Sequence, residues 1–151
     1  LRVGLSAAKG YCYGLTIPLI TVGTLEILAH TVMQEATDLV CPMIDARRME
    51  VYTALYNRAG KEVRSPAAMI LNEDSFAEEL SAHPILFCGN GSHKLKGFLT
   101  EKQNATYTTN GDCVVSMVKL AFEKFRKNIF STLAYTEPLY IKEFLTSTGR
   151  S

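Results

Sequence analysis

The 151-residue sequence contains no apolar run near the roughly 18 residues that cross a bilayer, so nothing in it reads as a membrane span. Its opening Leu-Arg-Val-Gly lacks the charged-then-apolar pattern of a signal peptide. There is no surplus of either charge: the formal net charge is +1, which provides no electrostatic footprint for nucleic acid. Any RNA role would therefore draw its positive field from another subunit. Paired cysteines are missing too. Cys12, Cys41, Cys88 and Cys113 lie far apart among apolar or small neighbours, which predicts reduced, mostly buried thiols in a cytoplasmic protein. The histidines His30, His83 and His93 are scattered, without the HxxxH or HExxH spacing that places two imidazoles on one helix face, so no metal site is expected. No GxSxG elbow, GxGxxG loop or GK[ST] loop occurs. Repeats and low-complexity tracts are likewise lacking. The composition, 47% hydrophobic and 21% charged, is that of a globular protein.

The chain itself begins with a helical pattern over residues 1–14. Position 1 is Leu, and no capping residue stands before the pattern, which predicts that further residues precede it. At about 100° per residue, Leu1, Leu5, Ala8, Cys12 and Leu15 form one stripe of large residues. Val3, Gly4, Ala7, Gly10, Tyr11 and Gly14 form a second stripe, mostly small, beside it. One sheet can cover one stripe. The second wants another close neighbour, because each helical glycine costs about 1 kcal/mol against alanine. That neighbour is either another part of the same lobe or another subunit.

Further along, the β-branched run IPLITV (17–22) predicts a buried strand. A helix over 24–36 comes next, with Thr24 as its cap. LVCPMID reads as a strand, with Pro42 pointing to an edge or irregular position. In the next strand, Met49, Val51, Thr53 and Leu55 alternate with Glu50, Tyr52, Ala54 and Tyr56. KEVRSPAAMIL, weakened by Pro66, completes three antiparallel strands. Then come a helix (72–82), the strand PILFC, a short helix in SHKLKGFLTEK, the strand ATYTT, and a strong helix over 111–128. Its expected core stripe is Val114, Val118, Ala121, Phe122 and Phe125. TEPLYIKEF forms an extended tail. Three strands followed by alternating α and β elements define an α/β layered lobe, over 37–151. Residues 1–36 read as the trailing helix, strand and helix of an earlier lobe.

Two loops could meet a phosphate. In CGNGSH (88–93), Gly89, Asn90 and Gly91 link a strand to a helix N-terminus, where amides can face an anion; a plain turn with Asn90 and Gly91 at positive φ is the simpler reading. In the hairpin PMIDARRMEVYTALYN (42–57), the turn holds Asp45, Ala46, Arg47 and Arg48. Phosphate hairpins are normally glycine-rich. The arginines could grip an anion or pair with Asp45 and Glu50 and pin the turn; the second reading is favoured.

LRVGLSAAKGYCYGLTIPLITVGTLEILA, IDARRMEVYTALY and EPLYI stand in the order and spacing of the TsaB/YeaZ family, and the chain resembles that family over essentially its whole length. The resemblance implies an α/β, actin/Hsp70/sugar-kinase-like (ribonuclease H-like) fold, with a mixed sheet flanked by helices. It implies a non-catalytic dimerisation subunit of the bacterial tRNA threonylcarbamoyladenosine machinery, pairing with the catalytic homologue TsaD and joined by the ATPase TsaE. A homodimer is expected without partners, tRNA is reached only through the complex, and ATP and metal belong to the partner subunits. The resemblance puts the partner interface on Val3, Gly4, Ala7, Gly10, Tyr11 and Gly14, and a second partner helix ahead of Leu1. Asp45, Arg47, Arg48, Gly89, Asn90 and Gly91 become degenerate nucleotide-loop positions. A phosphotransferase or ATPase of the same fold is the alternative, and a glycoprotease-like metallopeptidase a weaker one.

Overall fold

The structure is a computed structural model that describes residues 1–99, 104–109 and 111–142. The ends of the helix expected to follow Ser92 and of the extended C-terminal tail lie outside the described residues. Two helices come first, α1 (Arg2–Leu15) and α2 (Thr24–Val32). The strands β1 (Leu39–Asp45), β2 (Glu50–Asn57) and β3 (Glu62–Ile70) come next. After them stand α3 (Ala77–Ala82), β4 (Ile85–Cys88), α4 (Ser92–Lys96), β5 (Ala105–Tyr107) and α5 (Cys113–Arg126). The sheet order is β3-β2-β1-β4-β5. The first three strands pair antiparallel, and β4 and β5 join in parallel. Parallel strands need crossovers, and α3 and α4 supply them.

Strict alternation sorts the core onto two faces. Leu39, Cys41, Met43, Val51, Leu55, Ile85 and Phe87 pack on one side with Phe76, Leu80, Leu95 and Leu99. Val40, Ala54, Tyr56, Leu86 and Cys88 pack on the other against Leu25, Ala29, Val32 and Met33 of α2 and its C-terminal end. The alternation expected in β2 is therefore observed. The boundary expected at residue 36 falls between α2 and β1, and α2 lies on the sheet of the lobe expected to begin there.

Several local expectations are corrected. Residues 17–22 do not form a strand: among the described residues they make one bridge, Leu19 with Ser131, and Ile17 is exposed. A β-branched run needs a neighbouring strand to become one, and no strand lies beside it among the described residues. Pro42 sits in the central strand, not at an edge. The β1–β2 register runs through Val40–Tyr56 and Met43–Thr53, leaving Cys41 and Pro42 outside its paired positions, so the missing amide is tolerated there. Pro66 falls where the β2–β3 register shifts, the irregularity that admits proline. The amide of Gly23 donates to the Glu26 carboxylate at 3.3 Å, so α2 is preceded by Gly23 and not capped by Thr24.

The largest correction concerns α5. It is well capped, with Asp112 accepting from the amides of Val114 (2.8 Å) and Val115 (3.0 Å). Yet Val114, Val118, Phe122 and Phe125 are exposed; Ala121 is half-buried. The reason is competition for one surface. The sheet face nearby is already filled by α2, so α5 rests against α2 instead. It turns Ser116 inward and ties Lys124 to Glu26 at 3.1 Å.

Gly89, just past β4, marks a close backbone approach to β1. Its φ is +91°, and a Cβ there would collide with the backbone carbonyl of Met43. Gly89→Ala is expected to destabilise the protein by about 2 kcal/mol or more, measured as the shift in urea midpoint.

Candidate functional site

The parallel pairing of β1 with β4 brings the two candidate loops together at the C-terminal ends of those strands. Crevices at that end are where open α/β sheets place ligands. The hairpin turn and the 89–91 loop are laced by hydrogen bonds. The Asp45 amide donates to Asn90 Oδ1 (3.0 Å), and the Gly91 amide donates to the Met43 carbonyl (3.0 Å). Lys94, on the first turn of α4, donates from Nζ to Asp45 Oδ1 (2.5 Å) and to the Glu50 carbonyl (3.1 Å). Its side chain is 10% exposed.

This changes the expected role of the arginines. Asp45 pairs with Lys94 and Glu50 with Lys142; neither pairs with Arg47 or Arg48. Those two residues hold positive φ, 68° and 46°, at the tip of the turn, and their side chains make no ion pair among the described residues. Sequence reasoning favoured arginine pairing because both arginines stand next to the acids. The β1–β4 pairing instead delivers a lysine from α4, 49 positions from Asp45. The signal was present in SHKLK, where Lys94 stands just past the glycine loop, within the first turn of the next helix.

A phosphate cradle needs free amides. Here the Asp45 amide is donated to Asn90, that of Ala46 to the Glu50 carbonyl, that of Arg47 to Asp45 Oδ1 (2.6 Å), and that of Glu50 to the Arg47 carbonyl. The Gly91 and Ser92 amides are donated to the carbonyls of Met43 and Gly89. The two loops bind each other.

The thiols also bear on the chemistry. Burial pushes both Cys41 and Cys88 up to about 12, so neither is a thiolate nucleophile at neutral pH. Cys12 is buried as well, and Cys113 is exposed. Among the described residues, no three His, Cys, Asp or Glu side chains converge as metal ligands.

The second candidate surface is α1. Of this helix only Cys12 is buried. Val3 is 84% and Tyr11 71% exposed, and Ala7 faces solvent. A Cβ built on Gly4, Gly10 or Gly14 would meet nothing within 4 Å. The six residues expected at an interface thus share an open face, and none of the three glycines is explained by close packing among the described residues.

A family model described as TsaD, tRNA N6-adenosine threonylcarbamoyltransferase, matches residues 1–143. The chain belongs to this family. The TsaB/YeaZ resemblance read from the sequence is supported within it. The tRNA threonylcarbamoyladenosine biosynthesis protein TsaB of Bacillus subtilis strain 168 is 41% identical over 56 residues, 37% of this chain and 24% of that protein. The match thus spans about a quarter of this relative's length. Among solved structures, YeaZ from Pseudomonas aeruginosa superposes with a TM-score of 0.69 at 21% identity, covering 92% of this chain and 67% of that one. An uncharacterised protein with similarity to peptidase YEAZ, from the same organism, gives 0.74 at 20% identity, covering 93% and 67%. The fold of these YeaZ structures is therefore the fold of this chain.

The Asp45–Lys94 pair sets a pH dependence. The lysine, and after it the Arg47 amide, holds the Asp45 carboxyl below its usual range. A carboxyl lowered in the folded state adds stability above its unfolded value of about 3.9. That contribution disappears as pH falls through the lowered folded value. Urea midpoints of wild type and Asp45→Asn are expected to differ at pH 6 and to converge as pH drops below about 4.

Proposed function

We propose that this chain is a non-catalytic docking subunit for the catalytic threonylcarbamoyl transferase of tRNA adenosine modification. It binds the transferase through the face of α1 formed by Val3, Gly4, Ala7, Gly10, Tyr11 and Gly14. The observation that carries this reading is the open glycine face: small residues let a partner backbone approach closely, and nothing in the described lobe uses them. Without the transferase, the same face joins two copies of the chain. The ATPase subunit joins the complex, ATP and metal are held by partner subunits, and tRNA is reached only through the assembly, in the cytoplasm. The docking helix α1 belongs to the end of a first lobe, and α2 packs on the sheet of the second.

The alternative, a phosphotransferase or ATPase of the same fold, would use the crevice between the hairpin and the 89–91 loop. Internal donation of the hairpin amides favours the docking role, because a nucleotide phosphate arriving there would have to displace bonds already made.

The test is light scattering after size-exclusion chromatography, with and without the catalytic homologue, on wild type and Gly10→Leu. Wild type is expected to shift to a heterodimer. Gly10→Leu is expected to bind about tenfold more weakly or worse, through overpacking at the contact. It should not lose stability, since leucine exceeds glycine in helix propensity by about 0.8 kcal/mol. Undiminished binding by the folded variant would remove α1 as the docking surface. A wild-type protein that ignores the homologue but turns over ATP would replace the docking role with the enzyme.

A further inference from the structure

The EPLYI motif (137–141) is used neither by the crevice nor by the docking face, yet it makes long-range contacts at both ends. Tyr140 Oη accepts from Arg2 Nε at 3.1 Å, and the Arg2 guanidinium lies 5.2 Å from the Tyr140 ring centroid. Ile141, like Ile44, packs against the core on the α2 side of the sheet. Lys142 closes the series by donating from Nζ to Glu50 Oε2 at 2.5 Å. One short segment thus touches the first turn of α1, the apolar core, and the start of β2.

α1 needs such a contact. It does not bury a stripe along its length, since Cys12 is its one buried residue. Among the described residues, the bond from Arg2 is the one side-chain hydrogen bond that joins α1 to a distant part of the chain; the Cys12 thiol reaches only the nearby Pro18 carbonyl. Beneath the first turns of the helix lies a cavity of about 410 Å³, lined by Leu1, Leu5, Ile44, Tyr52, Leu139 and Tyr140 among others. A helix standing over a cavity is free to pivot unless something spans the gap.

We propose that residues 137–142 are a strap that spans this gap and fixes the N-terminal half of α1 against the β1–β2 hairpin. Arg2–Tyr140 is the fastening on the helix, and Lys142–Glu50 the fastening on the sheet. Tyr140 is a positioning residue: it sets the orientation of α1 without itself belonging to the open glycine face. The consequence for partner binding rests on the proposed docking role; the fastening of α1 does not.

The decisive measurement is amide hydrogen exchange on the full chain, comparing wild type, Tyr140→Phe, Tyr140→Ala and Lys142→Ala. In Tyr140→Ala the α1 amides from Leu5 to Lys9 should exchange about fivefold faster or more, while those of β1 and β4 keep their rates. Tyr140→Phe, which retains the ring under Arg2, should fall between. Lys142→Ala, which releases the other end, should act in the same direction. Unchanged α1 exchange in Tyr140→Ala overturns the strap. So does an equal acceleration in β1 and β4, which would make Tyr140 an ordinary stability residue. Titration with the catalytic homologue separates the two claims. If α1 loosens in Tyr140→Ala while partner affinity stays at the wild-type value, the strap stands and α1 is removed as the docking surface. If Gly10→Leu loses the partner with α1 exchange intact and Tyr140→Ala leaves exchange unchanged, docking stands and the strap falls.

Discussion

The close approach of β1 and β4 at Gly89 is the constraint on which most of this fold depends. A parallel pair can be joined only by a crossover, and its C-terminal ends must then emerge side by side. At that point the backbone of residue 89 passes so near the Met43 carbonyl that no side chain fits. The contact fixes where the hairpin turn lies relative to the 89–91 loop. It thereby fixes Asn90 beside the Asp45 amide and Lys94 beside the Asp45 carboxylate. In the same crevice the Asp45 amide is given to Asn90 and the Gly91 amide to the Met43 carbonyl, while those of Ala46, Arg47 and Glu50 are used within the hairpin turn.

How much of this could be read from the sequence depended on whether the deciding contact was local. The alternation of β2 and the antiparallel hairpins were legible, because period-two patterning and turn residues are written within a few positions of each other. Placing a glycine turn after β4 needed only its neighbours, but the positive φ falls at Gly89 and not at Asn90 or Gly91. The partner of Asp45 was not legible in the same way. Arg47 and Arg48 lie closer along the chain, but the tight turn holds both at positive φ at its tip, while Lys94 arrives through the sheet. The stripe on α5 shows a second limit. Periodicity identified the apolar face of the helix correctly, yet periodicity cannot say which of two helices wins a sheet face. α2 occupies it with Leu25, Ala29 and Val32, and the face of α5 is left looking outward.

The exposed surfaces bear on how α1 can work. A helix carrying three glycines is intrinsically weak, at about 1 kcal/mol per glycine relative to alanine, and α1 gains little from burial in this lobe. Its order must then come from its ends: the turn at Thr16, where the chain leaves in a left-handed conformation, and the contact of Arg2 with Tyr140. A helix held at its ends and open along its length suits close approach by another backbone, because neither its glycines nor Ala7 is already engaged. In the proposed docking role, the cost of ordering α1 would be met before a partner arrives, which would raise affinity without adding any contact. On this view the small residues of α1 and the EPLYI segment, separated by more than a hundred positions, are two halves of one requirement. The first lets a partner come close, and the second keeps the surface in place while it does.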